Sequence, residues 1–391
     1  MESQDIKPRH PEDEHIVENK ELNIWEALIP VVALVGMLAY NVYTYGEDAL
    51  SGSNQFVLLL GAAVAAIVGV FNKVKFDQMI EEVAENIKST ASSILILLMV
   101  GALAGTWLIS GIIPTMIYYG LQVLNPTIFL AACVIICSII SVATGSSWTT
   151  SATVGIALVG IADALGVPLG MTAGAILSGA YFGDKISPMS DTTNLAPAMA
   201  GTDLFTHIRY MMITTVPTIL VTLIVFVIIG LNLEPKGTAD THEILQSIKA
   251  AINVSPWLFV VPIIVIVLII KKTSPLIALL FGTILGGIAA LIFQPNIVMA
   301  IGGGTSLDFS TSYKGIMNAI TVDTFIPTDN EALKGLFKAG GMTKMMGTIW
   351  LIICAMTFGG VMDAIGALTT ISKALLKLFP ALSHSPLTAF I

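Results

Sequence analysis

The stretch "ATGSSWTTSATVG", Ala143 to Gly155, decides how this chain folds, because six of the eight residues from Thr144 to Ser151 are Ser or Thr within an apolar run. That run, 128–160, has to carry the chain onward, so the cluster lies too deep for a surface loop. Hydroxyls can bond the carbonyls of their own helix, and one reading is a bent but continuous helix tied to a neighbour. The preferred reading is a helix interrupted at Gly145. Its freed carbonyls and the hydroxyls of Thr144, Ser146, Ser147, Thr149 and Thr150 then face a cavity, where non-helical backbone is tolerated at membrane depth.

The composition agrees with a lipid solvent. The 391 residues are 55% hydrophobic and 11% charged, with a mean hydropathy of +0.86, which describes a polytopic membrane protein rather than a soluble core. Apolar helices are expected at 27–46, 56–72, 91–111, 128–160 and 207–230, with a shorter piece at 167–182. Further helices follow at 256–270, 275–293, 344–365 and 367–379, after a polar segment at 231–254. The longer runs reach the ~20 residues that cross a ~30 Å hydrocarbon core. Their continuity excludes the alternating strands of a barrel. The expected fold class is all-α: a polytopic, inverted-repeat secondary transporter with broken or re-entrant helices. Between 76 and 88, Phe76, Met79, Ile80, Val83 and Ile87 share one side of a helix. That piece is either amphipathic and interfacial or a plain cytosolic linker.

Residues 1–25 form a polar, acidic tail, read as disordered and cytosolic, with no cleavable signal before the first apolar run. The net charge of -8 resides largely in this tail and in soluble loops. No basic cluster points to nucleic acid. Cys133 and Cys137 are one helical turn apart but lack a His or acidic partner, and Cys354 is alone, which argues against a metal centre. The short loops 47–55 and 112–127 hold no Lys or Arg, whereas Lys73, Lys75, Lys88, Arg209, Lys271, Lys272, Lys373 and Lys377 fall on the other side, so the amino terminus is placed in the cytosol. The long 294–343 segment is then outside.

"WEALIP" from Trp25 recurs as "WLFVVP" from Trp257, and "GTWLISG" from Gly105 lines up with "GVMDAIG" from Gly360. With opposite starting sides, these pairs suggest an inverted repeat: 26–230, a connector at 231–255, and 256–391. The second copy stops at "SPLTAFI", where the counterpart of 128–160 should start, so Ile391 is not expected to be the natural end.

A second polar stretch, "GAYFGDKISPMSDTTNLAPAMAGTD", runs from Gly179 to Asp203. The flanking apolar pieces are too short to span, and Ser187-Pro188 disfavours helix, so a non-helical segment is expected. Asp184 and Asp191 would each cost ~2.5–3.5 kcal/mol at membrane depth if unpaired. Lys185 can neutralise one of them. Two polar interruptions rich in oxygen and poor in sulfur and imidazole suit a hard cation such as Na+. A carboxylate that holds either a cation or a proton, but not both, is the physical basis of exchange.

"GDKISPMSDTTNLAPAMAGTDLFTHI" and "ATGSSWTTSATVGIAL" resemble signature segments of the NhaC family of Na+/H+ antiporters, and the resemblance runs from about Trp25 onward. It implies Na+/H+ exchange by alternating access across the bacterial plasma membrane. On matching positions it makes Asp184, Asp191, Ser187, Thr192, Thr193 and Asn194 the ion-binding segment, with Thr144 to Thr150 as its partner. Relatives also exchange organic acids such as malate and lactate, or amino acids, which is the alternative reading; a carboxylate substrate would need Lys185 or an exposed half-helix amino terminus as anchor. Na+, H+ and the bilayer are the expected partners, no cofactor is implied, and the oligomeric state is open between monomer and homodimer. His207, opening the 207–230 helix beside Arg209, is a candidate pH sensor or an interface anchor. Asp163 and Asp363 sit near helix ends, where an interfacial charge is ordinary, with contact to the ion pathway as the other reading. A channel would need no inverted repeat, and no hydrolase or nucleotide motif points to an enzyme.

Overall fold

The computed structural model describes residues 22–123, 126–188, 190, 193, 204–233, 241–271, 273–328, 334 and 337–378. Helices dominate them. In chain order they are α1 (Ile24–Tyr45), α2 (Ser53–Phe71), α3 (Phe76–Ile109), α4 (Ile112–Val123) and α5 (Pro126–Thr144). Then α6 (Ser147–Thr150) passes through a π turn (Ser151–Gly155) into α7 (Ile156–Ala164), followed by α8 (Leu169–Ile186) and α9 (Leu204–Asn232). The remainder comprises α10 (Thr241–Ala251), α11 (Val260–Ile270), α12 (Pro275–Phe293), α13 (Pro295–Gly302), α14 (Phe309–Thr321), α15 (Gly341–Ala364) and α16 (Ala367–Leu378). Two short strands, β1 (Thr324–Phe325) and β2 (Lys338–Ala339), pair antiparallel with Thr324 opposite Ala339. Among the described residues, seven helices are long and apolar enough to cross a membrane, and a bent pair, Ile244–Ala251 with Pro256–Ile270, makes an eighth if counted as one span. The protein is an all-α, multi-pass membrane protein.

By packing, the chain divides into two compact units, Met1–Ala91 with Gly347–Ile391, and Ser92–Met346. In the first, Asn23 opens α1 with a capping box, accepting from Trp25 N while its own N–H donates to Glu26. Asn41 on α1 donates to Asn54 on α2 at 2.7 Å, a polar tie between two apolar helices. The 76–88 piece is neither a separate interfacial helix nor a linker. It is the first part of the 34-residue α3, with Met79 and Val83 buried in the core that also holds Met362 and Ile365. Gly360 of α15 rests on the Val83 backbone, where an added Cβ would sit 2.6 Å from its Cα.

In the second unit α3 and α12 meet at Trp107, whose indole N–H donates to Gly282 O at 3.1 Å. Gly105 lies on the carbonyl of Ala319 so closely that a Cβ would stand 1.7 Å from its oxygen. The expected 112–127 loop is largely the helix α4, which buries Ile112, Ile113, Ile117 and Leu121. The polar 231–254 segment contains α10, which turns Ile244 and Ile248 inward and lies at 86° to the following span. The 294–343 segment is likewise structured, as the hairpin α13–α14 and the β1–β2 pair. Asp308 caps α14 by accepting from Thr311 N at 2.7 Å. That bond holds its carboxyl below the usual range, so the charged cap is present at neutral pH and is lost as pH falls through the lowered value.

Candidate functional site

Small residues set the geometry of the site. Gly179 and Gly183, one turn apart on α8, press against the α5 backbone, where added Cβ atoms would lie 2.3 Å from Val134 O and 2.5 Å from Ser141 Cβ. Ser141 Oγ donates to Ala180 O at 2.5 Å, and Ser187 Oγ donates to Val142 O at 2.8 Å. Contacts therefore advance together along both helices, so α5 and α8 run parallel. Beyond Gly145 the order inverts: Ser147 lies beside Asp184, while Gly155 lies beside Ile176. The chain has reversed.

Residues 126–164 are thus a helical hairpin with its tip at Gly145, which takes φ +67, a left-handed value that glycine adopts without strain. The interruption falls where the hydroxyl cluster placed it. A single crossing of 128–160 does not occur, because both legs pack on α8.

At the tip, Ser147 Oγ donates to Asp184 Oδ2 at 2.8 Å. Thr150 Oγ1 bonds back to Ser146 O, and Ser151 Oγ to Ser147 O, each at 2.9 Å. Ser147 and Thr150 are buried. The side chains of Thr144 and Thr149 lie outside the described residues. On the facing element, α8 ends at Ser187, whose φ of -76 and ψ of 126 are extended, as a following proline requires. Ser190 N then donates to Ser187 O, and Thr193 Oγ1 reaches the carbonyls of Asp184 at 3.0 Å and Lys185 at 3.2 Å. Thr193 thus lies against the carboxyl end of α8. Asp191, Thr192 and Asn194 lie outside the described residues.

Lys185 makes no ion pair with Asp184 among the described residues. Adjacent helical residues point about 100° apart, and Lys185 lines a groove against Thr215, Thr218 and Thr222 of α9. His207 is half-buried in the first turn of α9, and no described hydrogen bond joins it to the tip.

The tip therefore gathers a carboxylate, hydroxyls and main-chain carbonyls: a set of hard oxygen donors that fits a desolvated monovalent cation. Among the described residues no cluster of three or more His, Cys, Asp or Glu could hold a transition metal. Three features escaped the sequence reading: Ser141 and Ser190, buried polar ties, and the π turn at Ser151–Gly155. Ser141 sits one turn before Gly145, a spacing that could have marked it. A π turn carries no such signature, yet it often accompanies function.

A family model described as the Na+/H+ antiporter family matches residues 179–391, and another, the C4-dicarboxylate anaerobic carrier, matches residues 3–232. The malate-2H(+)/Na(+)-lactate antiporter of Bacillus subtilis is 36% identical over 86% of this chain and 69% of its own length. The Na(+)/H(+) antiporter NhaC of the same organism is 38% identical over 75% of the chain and 62% of its length. NhaC of Alkalihalophilus pseudofirmus is 34% identical over 84% of the chain and 68% of its length. The chain spans about two thirds of the length of these relatives. No solved structure matches it. With one family model covering the Asp184 segment and relatives of this identity along most of the sequence, the chain belongs to the Na+/H+ antiporter family, with NhaC-type relatives.

Proposed function

We propose that the protein exchanges Na+ for H+ across the bacterial plasma membrane by alternating access, with its amino terminus in the cytosol and Asp184 as the carboxylate that holds either ion. The observation that carries this reading is the Ser147–Asp184 bond, which joins the hairpin tip to the interrupted end of α8. A bound cation favours the ionised carboxylate, and a proton removes the charge that binds the cation, so the two ions compete. Ser147 supplies a neutral oxygen and holds the carboxylate in place; Thr193 keeps the adjacent carbonyls directed. Asp191, Thr192, Asn194 and the hydroxyls of Thr144, Ser146, Thr149 and Thr150 complete the proposed shell, and Ser187 positions it through Val142.

The hairpin and the broken end supply the discontinuous helices on which midplane ion sites of inverted-repeat transporters are built. The repeats 26–230 and 256–391 are part of this proposal. Exchange of organic acids is the second reading, favoured by the carrier model matching residues 3–232 and by the malate/lactate relative.

The test is the decay of a preformed ΔpH in everted vesicles on separate addition of Na+, Li+, K+, malate or lactate. Dequenching by Na+ alone is expected. A requirement for a carboxylic acid would replace this reading with the second. Within the site, Ser147→Ala should raise the apparent KM for Na+ about tenfold at normal expression, since a hydrogen bond to a charged group contributes about 1.5–3 kcal/mol. An unchanged KM would return Ser147 to a structural role.

A further inference from the structure

Asp163 is a carboxylate that the exchange site does not use. It sits at the far end of α7, sixteen residues beyond Ser147 and therefore about 24 Å along the helix axis. Its neighbours Ile161, Ala162, Ala164 and Leu165 are buried, whereas Asp163 is exposed to a cavity of about 360 Å³ walled by apolar residues of α3 and α4, including Ala104 and Leu108. Lys338 of β2 is the other charged group lining that cavity, and its ammonium is engaged by Asp323 at 3.7 Å. The Asp163 carboxylate forms no ion pair or side-chain hydrogen bond among the described residues. The chamber thus presents one uncompensated negative charge on apolar walls, the arrangement that focuses a field on counter-ions.

A second cavity, of about 300 Å³, lies between α7 and α8 and reaches from Val159 to Ser151. Ser151 donates to the carbonyl of Ser147, the residue on Asp184. Ile156 and Val159 line both cavities. The two cavities thus share Ile156 and Val159 as walls, one holding the Asp163 carboxylate and the other coming, at Ser151, within one helical turn of Ser147.

We propose that these chambers are the access path for monovalent cations to Asp184, with Asp163 drawing cations into the outer chamber and Ile156 and Val159 forming the constriction between the two. Asp163 acts on arrival of the ion and not on its exchange. The assignment of the cargo as Na+ rests on the function proposed above; the path and its charge do not.

The experiment places a reporter thiol in the outer chamber with Asp163 intact. Cys133 and Cys137 are fully buried and Cys354 nearly so, which keeps the native background low. In vesicles holding the Ala104→Cys variant, the cationic trimethylammonioethyl methanethiosulfonate is expected to react about tenfold faster than the anionic sulfonatoethyl reagent, and Asp163→Asn should remove most of that preference, as expected for a focused field. Val159→Cys is the second reporter, in case Ala104→Cys does not fold. In parallel, Asp163→Asn should raise the apparent KM for Na+ several-fold, most strongly at low ionic strength, where screening is weakest. A rate ratio that ignores Asp163, or a thiol that neither reagent reaches at either position, overturns the path. A charge preference that depends on Asp163 in a protein without Na+-driven proton movement leaves the path standing and overturns the Na+/H+ reading.

Discussion

Asp184→Asn is expected to abolish Na+-driven proton movement at every pH, while the protein inserts and folds. The substitution is nearly isosteric, and the amide oxygen can still accept the Ser147 hydroxyl that now meets Asp184 Oδ2 at 2.8 Å. What it removes is the charge, and with it both the cation's main attraction and the proton's binding place. Loss of one charge-assisted contact costs about 1.5–3 kcal/mol, roughly tenfold to a hundredfold in ion affinity. Loss of the titrating group removes the coupling itself, so no Na+ concentration should restore turnover. Asp184→Glu retains the charge with the carboxyl displaced, and partial activity with a raised KM is expected. ΔpH decay together with 22Na+ uptake on each variant separates the cases. Normal exchange by Asp184→Asn would transfer the role to another carboxylate, with Asp191 the candidate seven residues on.

The sequence was most legible where a residue type answers to its solvent. Continuous apolar runs on 55% hydrophobic residues admit only helices, and six hydroxyl residues around Gly145 marked the interruption that the structure places there. Direction was not legible. A run from 128 to 160 reads equally as one broken span or as two legs of a hairpin, because its periodicity is the same in both. The reversal shows only in the contacts with α8, through Gly179 and Gly183. Ser147 and Asp184 are 37 residues apart, and nothing local pairs them. Lys185 shows the converse: it is next in sequence to Asp184, yet it lines a groove with Thr215, Thr218 and Thr222 of α9, because adjacent helical residues point to different faces. The helix α4 reads as a loop in the sequence because its 12 residues fall short of the ~20 that cross a bilayer.

Gly183→Ala is expected to have a large effect on transport for a one-carbon change. The new Cβ would lie 2.5 Å from Ser141 Cβ, 2.6 Å from Val142 N and 2.7 Å from Ser138 O. Two of these are main-chain atoms of α5, which cannot swing aside as the tip of a flexible side chain can. Relief requires the two helices to part. Overpacking of this kind costs about 1–3 kcal/mol, and parting the helices here stretches the Ser141–Ala180 and Ser187–Val142 bonds that frame the tip. A displacement of about 1 Å in positioned groups can cost on the order of a hundredfold in rate, so transport should fall much further than stability does. Gly170→Ala, in the first turn of the same helix, is the control: nothing lies within 4 Å of its added Cβ, so its melting temperature should be unchanged. Melting temperature and Na+ KM measured on both variants decide the matter. If Gly183→Ala matched Gly170→Ala in both, the close parallel crossing of α5 and α8 would not be what holds the hairpin tip against Asp184.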